Sequence, residues 1–434
     1  MKKIFIIAHI VLSSSIALGQ TSINARSMGM ANAYQGMASG AEAGNWNPAN
    51  LAMPGGPSIS IDLLNIGLSV GNNSLNINLY NDYFSKDYFD ANGSWDLAAK
   101  QEIVDHINSS GLEGYTQIQV TPVAVSFNEF AVAVNVFGYM TATLPQDLLT
   151  VPLMGLNADP VYLDDMDGEA IGGGEIVASY ARKIDTKWQW MEHLAVGGSI
   201  KYLIGEFYAV VDQASGTLLS STDSIAINGS YRAMMVNPFD DKGEVGHGLG
   251  LDLGAAAKIN EKLNVGFSLH NIFGSIKFKG YEEYWGSFAF NQPGINIDEL
   301  DNFGDYLDST AVDTDTSFTS SEELTYVMPK YFVMSGTYQL RPEVVIEADY
   351  KQGLNNVAGG TTKPRLAVGA ELRYLPVLPI RIGLGLGGLH GTMFAGGIGL
   401  DLGAYKFDIA IANQRGLFNG SKGINFALSQ RLVF

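Results

Sequence analysis

The chain has 434 residues, no cysteine, 46% hydrophobic residues, only 16% charged ones and a formal net charge of −18. A soluble protein carries about a quarter charged residues, and a chain this acidic has no basic stripe to neutralise phosphates, which argues against nucleic acid as a partner. The missing cysteines exclude disulfides, a thiolate metal site and an acylated cysteine anchor, while 51 glycines and 11% aromatic residues suit many strands, tight turns and aromatic girdles.

The chain opens with MKKIFIIAHIVLSSSIALG. Lys2 and Lys3 precede an apolar run, Ile4 to Leu12, and Ala17 and Gly19 are small residues at the −3 and −1 positions of a cleavage site. Residues 1–19 therefore read as a secretory signal peptide with Gln20 as the mature N-terminus. The alternative, a transmembrane anchor, is disfavoured because the run is shorter than the ~20 apolar residues a span needs. An exported chain with no later apolar run of that length crosses a membrane only as a closed barrel, which satisfies its backbone in lipid.

Residues 20–56 form a segment rich in Gly, Ala and Ser that ends in EAGNWNPANLAMPGG (42–56). Asn47-Pro48 favours a turn, because Pro fixes φ and the Asn side chain bonds nearby backbone. Trp46 is placed to anchor a compact knot. The alternative is a disordered leader before an edge strand, against which the Met, Trp and Leu side chains ask for burial.

From residue 57 the chain alternates with period two. In KFDIAIAN (406–413), Phe407, Ile409 and Ile411 oppose Asp408, Ala410 and Ala412; in EVVIEADYK (343–351), Val344, Ile346, Ala348 and Tyr350 oppose Val345, Glu347, Asp349 and Lys351. Each strand thus has an apolar wall and a polar or small one. A soluble sandwich shows the same alternation, but its second face carries dense charge; here it is mostly Gly, Ala, Ser and Asn, which suits a crowded, wet barrel lumen. Fifteen such runs can be marked between 57 and 433. A barrel with both ends on one side needs an even number, so about 14 strands are expected, with the uncertainty in 192–236. Segments 71–115, 141–170 and 277–327 read as long loops, the first carrying a short amphipathic helix within 95–111.

A unit recurs: LAVGGSIKYL (194–203), LNVGFSLHNI (263–272) and LAVGAELRYL (366–375), with GLGLDLGA (248–255) and GIGLDLGA (397–404) as a second pair. No helix pattern follows the Gly-x-Gly, so a nucleotide loop is discounted. Glycine on one strand face relieves crowding in a lumen or allows curvature. Lys201, His270 and Arg373 hold equivalent positions and should face the lumen, balanced by Asp252, Asp401 and Glu371. Pro122 interrupts TQIQVTPVAVSF (116–127), and the apolar phase slips from Ile118 and Val120 to Val123, Val125 and Phe127; a slip at a Pro implies a bulge. DDMDGE (164–169) lacks the remaining ligands of a calcium loop and reads as a solvated acidic loop. The mature chain's five histidines fall in no zinc or triad motif, so no cofactor, no metal and no enzyme activity are expected.

Residues 25–53, ARSMGMANAYQGMASGAEAGNWNPANLAM, resemble the N-terminal region of the FadL-like superfamily of outer-membrane barrels, which includes fatty-acid and aromatic-hydrocarbon transporters and PorV-type proteins. The matching positions are Ala25, Arg26, Met28, Gly29, Met30, Ala31, Ala33, Ala43, Trp46, Asn47, Pro48, Ala49 and Leu51. The terminal Phe434 on an alternating strand agrees with barrels handled by the outer-membrane assembly machinery. The resemblance implies an all-β transmembrane antiparallel barrel over 57–434, an N-terminal hatch over 20–56 inside its lumen, and residence in the outer membrane of a Gram-negative bacterium. It also implies that a strand kink, for which Pro122 is the candidate, opens a lateral window; a bulge that merely curves the wall is the plainer alternative. The expected role is passive uptake of hydrophobic or amphipathic small molecules. The alternative is a structural or shuttle subunit that binds protein partners through its extracellular loops. The loops depart from the characterised fatty-acid transporters, so their ligand-contacting residues do not carry over.

Overall fold

The computed structural model describes residues 23–154, 160–162, 164, 166–220, 224–240, 243–293 and 312–434. The expected signal peptide lies outside the described residues. The alternating runs form a single antiparallel sheet that closes on itself, the first strand pairing with both the second and the last.

Fourteen staves make the wall, seventeen ladder segments in all. In chain order they are β1 Ile59–Asn72, β2 Leu112–Phe127, β3 Phe130–Leu144, β4 Asp167–Ile184 and β5 His193–Ser220. Stave β6 comes in two pieces, Ser224–Val236 and Gly246–Asn260, followed by β7 Leu263–Pro293. Stave β8 is also split, Val312–Val327 and Tyr331–Arg341. The rest are β9 Val344–Gly353, β10 Arg365–Leu372, β11 Ile380–Gly387, β12 Met393–Leu402, β13 Tyr405–Gln414 and β14 Gly423–Val433. The two pieces of β6 pair with successive halves of β5, and the two pieces of β8 with successive halves of β7. Within the run 222–236, the piece Ser224–Val236 is therefore the outer half of one stave, which explains an odd count from sequence. The seventeenth segment, Val161–Tyr162, merely touches the tip of β5.

The three expected loops are partly strand. Residues 71–72, 112–115, 141–144 and 167–170 belong to staves, and 277–327 is ladder over 277–293 and 312–327. The reason is physical: beyond the apolar band both strand faces are polar, as in VDTDTSFTSSEELTYV (312–327), and the period-two signal vanishes although the ladder continues. Asp167 and Glu169 of the acidic stretch likewise open β4, where Glu169 accepts from the Tyr208 hydroxyl at 2.9 Å. The expected helix is present as Leu97–His106, capped by Asp96, with Ile103 and Val104 buried but Leu97 exposed.

The barrel is apolar outside and polar inside. On β10 Leu366 and Val368 are exposed while Arg365 and Glu371 are buried; on β13 Ile409 and Ile411 are exposed while Asp408 is buried. This inversion suits a wall in lipid, where a soluble protein would bury the Leu and expose the acid. One end carries short turns such as Asn128-Glu129, the other the long connections. At the short end Trp188 and Trp190 stack at 5.7 Å, both exposed, as an interfacial aromatic belt does.

Candidate functional site

Residues 23–53 lie inside the barrel, almost wholly buried. Asn24 caps a one-turn helix, Ala25–Gly29, by accepting from the Ser27 N–H at 2.7 Å. Met30, Tyr34, Ala38 and Trp46 pack together, with Tyr34 edge-on to Trp46 at 5.3 Å and the Arg26 guanidinium over the Tyr34 ring at 5.0 Å. Asn47 accepts from the Ala49 N–H at 3.1 Å and Pro48 opens the short helix Pro48–Ala52, so Asn-Pro-Ala makes the turn expected of it. Asn50 donates to the carbonyls of Gln35 and Ala38, both at 2.9 Å, tying the two arms of the hatch together.

The recurring glycines are where the wall receives this segment. A Cβ on Gly197 would lie 2.6 Å from the Pro48 carbonyl carbon, one on Gly369 2.5 Å from Met30 Cβ, and one on Gly266 3.2 Å from Asn47 Nδ2. Gly254 and Gly383, one on each side of the lumen, are tighter still, at 2.1 Å from Asn47 Oδ1 and from the Met30 carbonyl carbon. Any side chain at those two positions displaces the hatch.

Three polar clusters hold the hatch. The first centres on Glu42, which accepts from Asn24 at 2.9 Å, Arg26 at 3.3 Å, Arg431 at 3.0 Å and the Tyr34 hydroxyl at 2.6 Å. Burial pushes the Tyr34 phenol well above its ordinary range, so it remains a neutral donor. Arg26 reaches Glu371 at 3.6 Å, Glu371 meets Arg381 at 2.6 Å and Arg373 at 2.7 Å, and Arg381 meets Asp408 at 2.7 Å. Arg373 and Asp401, 3.7 Å apart, sit at the short-turn rim of this network and are partly exposed.

The second cluster joins Lys201, Asp252 and His270. Lys201 lies 2.8 Å from Asp252 and 3.8 Å from Glu175, and Asp252 also receives His270 Nδ1 at 3.1 Å and the Asn271 N–H at 2.7 Å. Ser268 Oγ is 2.7 Å from His270 Nε2, so Ser268, His270 and Asp252 form a hydrogen-bonded chain across two staves that no linear motif announces. The Gln35 amide donates to that serine oxygen, which is fully buried, so it is not presented to a substrate as a nucleophile is. The chain serves to tie the hatch to the wall.

The third cluster is not announced by the sequence, although alternation places its residues on one face. Asp349 accepts the backbone N–H groups of Tyr34 and Gln35 at 2.8 and 2.9 Å, and Glu347 accepts that of Gly36 at 2.6 Å. Two wall carboxylates thus clasp three consecutive hatch amides.

The sequence-predicted residues therefore divide. Arg26, Met28, Gly29, Trp46, Asn47 and Pro48 all lie in the hatch; Lys201, Asp252 and His270 come together; Arg373 and Asp401 join a different network. Pro122 stands apart in the wall. Thr121 and Pro122 together face a single residue of β3, since Val120 pairs with Val136 and Val123 with Val134, so the expected bulge is present. Beside it β1 has its own irregularity at Leu63, and the β1–β2 ladder skips from Asp62–Ala124 to Asn65–Thr121. Against the inner side of this break lies the hatch turn Gly40–Glu42, its Ala41 N–H donating to Ser60 at 2.6 Å.

Between the hatch and the long-loop end is a cavity of about 90 Å³, partly open to solvent. Trp46, Tyr331, Val333 and Leu389 give it apolar walls, and His270 and Lys351 reach it from the staves. That is smaller than the roughly 300–1,000 Å³ of drug-sized ligand pockets.

A family model described as a family of unknown function, DUF5723, matches residues 48–412. The chain belongs to the DUF5723 family. No curated protein matches it in sequence. Among solved structures, the barrel is similar to the P. putida toluene transporter TodX (TM-score 0.53, 11% identity, covering 95% of this chain and 98% of that one). It is also similar to the Ralstonia pickettii toluene transporter TbuX (0.50, 14%, 95% and 98%) and to a Pseudomonas aeruginosa FadL homologue (0.50, 14%, 96% and 100%). At these identities the likeness is one of fold alone, and this DUF5723 chain shares the barrel fold of those proteins.

Proposed function

We propose that this DUF5723 barrel resides in the outer membrane and serves passive uptake of hydrophobic or amphipathic small molecules. The observation that carries the reading is the cavity above the hatch, at the long-loop end of the barrel, with Trp46, Tyr331, Val333 and Leu389 in its walls. The likeness in fold to the toluene transporters TbuX and TodX supports the same direction. In this route the ligand enters from the long-loop end, rests against Trp46, and leaves sideways through the wall. The exit is the break between β1 and β2, where Pro122 has no N–H to donate and Leu63-Leu64 have no ladder partner on β2. Opening it requires the Gly40–Glu42 turn to withdraw.

The absence of cysteine makes a clean test available. Leu63→Cys with Val123→Cys places a thiol on each side of the break. The full chain is expressed in Gram-negative cells, and entry of the hydrophobic dye 1-N-phenylnaphthylamine is followed by fluorescence. Expression should speed entry, oxidation of the double variant should slow it, and reduction should restore it. Entry no faster than in cells without the protein would refute uptake; entry indifferent to the cross-link would refute the lateral exit.

A further inference from the structure

Glu42, Glu175, Asp252, Glu371 and Asp408, all buried in the lumen, each meet a lysine or an arginine. Glu347 and Asp349 differ. They are neighbours on the inner face of β9, both are buried, and among the described residues neither forms an ion pair. Lys351, two residues on, holds its Nζ 3.6 Å from the centroid of the Tyr331 ring. Arg365, opposite Lys351 on β10, donates to the carbonyls of Gly387 and Ala31 and to the Met393 sulfur. The β10 positions that face the two acids are Gly369 and Ala367, which carry no charge.

Each carboxylate spends one oxygen on the hatch and keeps one. Glu347 Oε1 accepts the Gly36 N–H, and Asp349 Oδ2 accepts those of Tyr34 and Gln35. Glu347 Oε2 and Asp349 Oδ1 are buried with no hydrogen-bond partner. Thr337, paired with Glu347 across the β8–β9 ladder, supplies a third oxygen. This residue is only 8% exposed, and its Oγ1 is also buried without a partner. It is aimed at the same place: a Cβ on Gly36 would lie 2.2 Å from Thr337 Oγ1 and 2.8 and 3.2 Å from the two Glu347 carboxylate oxygens. Two adjacent carboxylates held away from water are costly unless a proton or a cation neutralises them. A proton shared between them serves their two free oxygens and leaves the threonine oxygen unserved, whereas a hard cation takes all three. The cavity above the hatch is lined by Asp349, and its 90 Å³ gives room for an ion and several waters.

We propose that Thr337, Glu347 and Asp349 bind a calcium ion, with cavity waters completing its shell, and that the ion pins the hatch to β8 and β9. Two carboxylates match a divalent charge. Calcium takes six to eight oxygens in irregular geometry, whereas magnesium demands a near-ideal octahedron. Linear motifs do not announce the site, because its ligands come from two staves. The inference goes beyond the uptake reading and does not depend on it.

The test strips the full chain with EDTA in non-ionic detergent, titrates it with calcium chloride by calorimetry, and follows thermal unfolding by tryptophan fluorescence. One calcium should bind with a Kd of about 10⁻⁴–10⁻³ M or tighter, and magnesium more weakly. The unfolding temperature should rise with calcium concentration, as it does for a ligand that binds only the folded state. Thr337→Val keeps the shape and charge of the site but removes one oxygen, and should weaken binding roughly tenfold or more. Asp349→Asn should abolish binding while leaving an oxygen for the Tyr34 and Gln35 amides. No calcium binding by the wild-type chain would overturn the inference; stability that then rises as the pH falls would show that a shared proton holds the pair instead. Binding that survives both substitutions would place the ion on exposed loop acids and equally overturn it. Thr337→Val decides the matter even if Asp349→Asn does not fold.

Discussion

Gly383→Ala tests whether the hatch is seated in glycine slots of the wall. The added Cβ would lie 2.1 Å from the Met30 carbonyl carbon and 2.4 Å from the Ala31 nitrogen. These are backbone atoms and cannot rotate aside, so the hatch must retreat about 1.3 Å to reach ordinary contact at 3.4 Å. A retreat of that size breaks the bond from Arg365 to the Ala31 carbonyl, already 3.2 Å long, and loosens the packing of Met30 on Tyr34 and Trp46. Overpacking of this kind costs about 1–3 kcal/mol. The control is Gly396→Ala on β12, where a Cβ meets nothing within 4 Å. In planar bilayers the wild-type barrel and Gly396→Ala should stay closed to ions, whereas Gly383→Ala should leak and unfold at lower denaturant. If Gly383→Ala matches the control in conductance and stability, the glycines do not seat the hatch.

Glu42→Gln should destabilise the folded barrel by about 3–5 kcal/mol, because Arg26 and Arg431 lose their shared buried counter-charge; denaturant titration of the refolded protein reads it, and a loss under about 1 kcal/mol would contradict the network. Asp252→Asn and Lys201→Met should each be costly alone and partly compensate together, with a coupling of about 1–3 kcal/mol in a double-mutant cycle. Lys86→Ala removes an exposed helix-surface ion pair with Asp90 and should change stability by less than about 0.5 kcal/mol in the same titration. In single-tryptophan variants reconstituted into brominated lipid, Trp188 and Trp190 should be quenched and Trp46 spared, since Trp46 is enclosed by the wall; equal quenching would contradict the placement of the hatch.

Much of this architecture is legible in the residues, for identifiable reasons. Period-two alternation reports which face a side chain takes, so Asp408, Glu347, Asp349 and Lys351 fall on the inner wall without knowledge of their neighbours. The bulge at Pro122 is readable because a proline in mid-strand together with a phase slip leaves few other solutions. Alternation does not report register around a closed sheet. The meeting of Ser268, His270 and Asp252, the clasp on the hatch amides and the pairing of Arg26 with Glu371 depend on which stave stands beside which. The repeated Leu-x-Val-Gly unit is visible as a pattern, but its purpose requires knowing that Met30, Asn47 and Pro48 lie against those glycines. Polar strands beyond the apolar band, as in 312–327, carry no alternation to read.

The hatch also constrains the order in which the molecule can assemble. It precedes every stave in the chain, yet the Ala25 N–H donates to Ser429 on the last stave at 2.8 Å, and its Asn-Pro-Ala turn is seated on Gly197 and Gly254 midway along the sequence. A segment so enclosed cannot thread into a finished cylinder. It must be present when β1 and β14 zip together, so the seam forms around it, and the hatch acts as the mandrel on which the wall is closed. Contacts spanning 404 residues make this a slow, late event. Disturbing the hatch should therefore slow insertion into the membrane even where the finished barrel is stable.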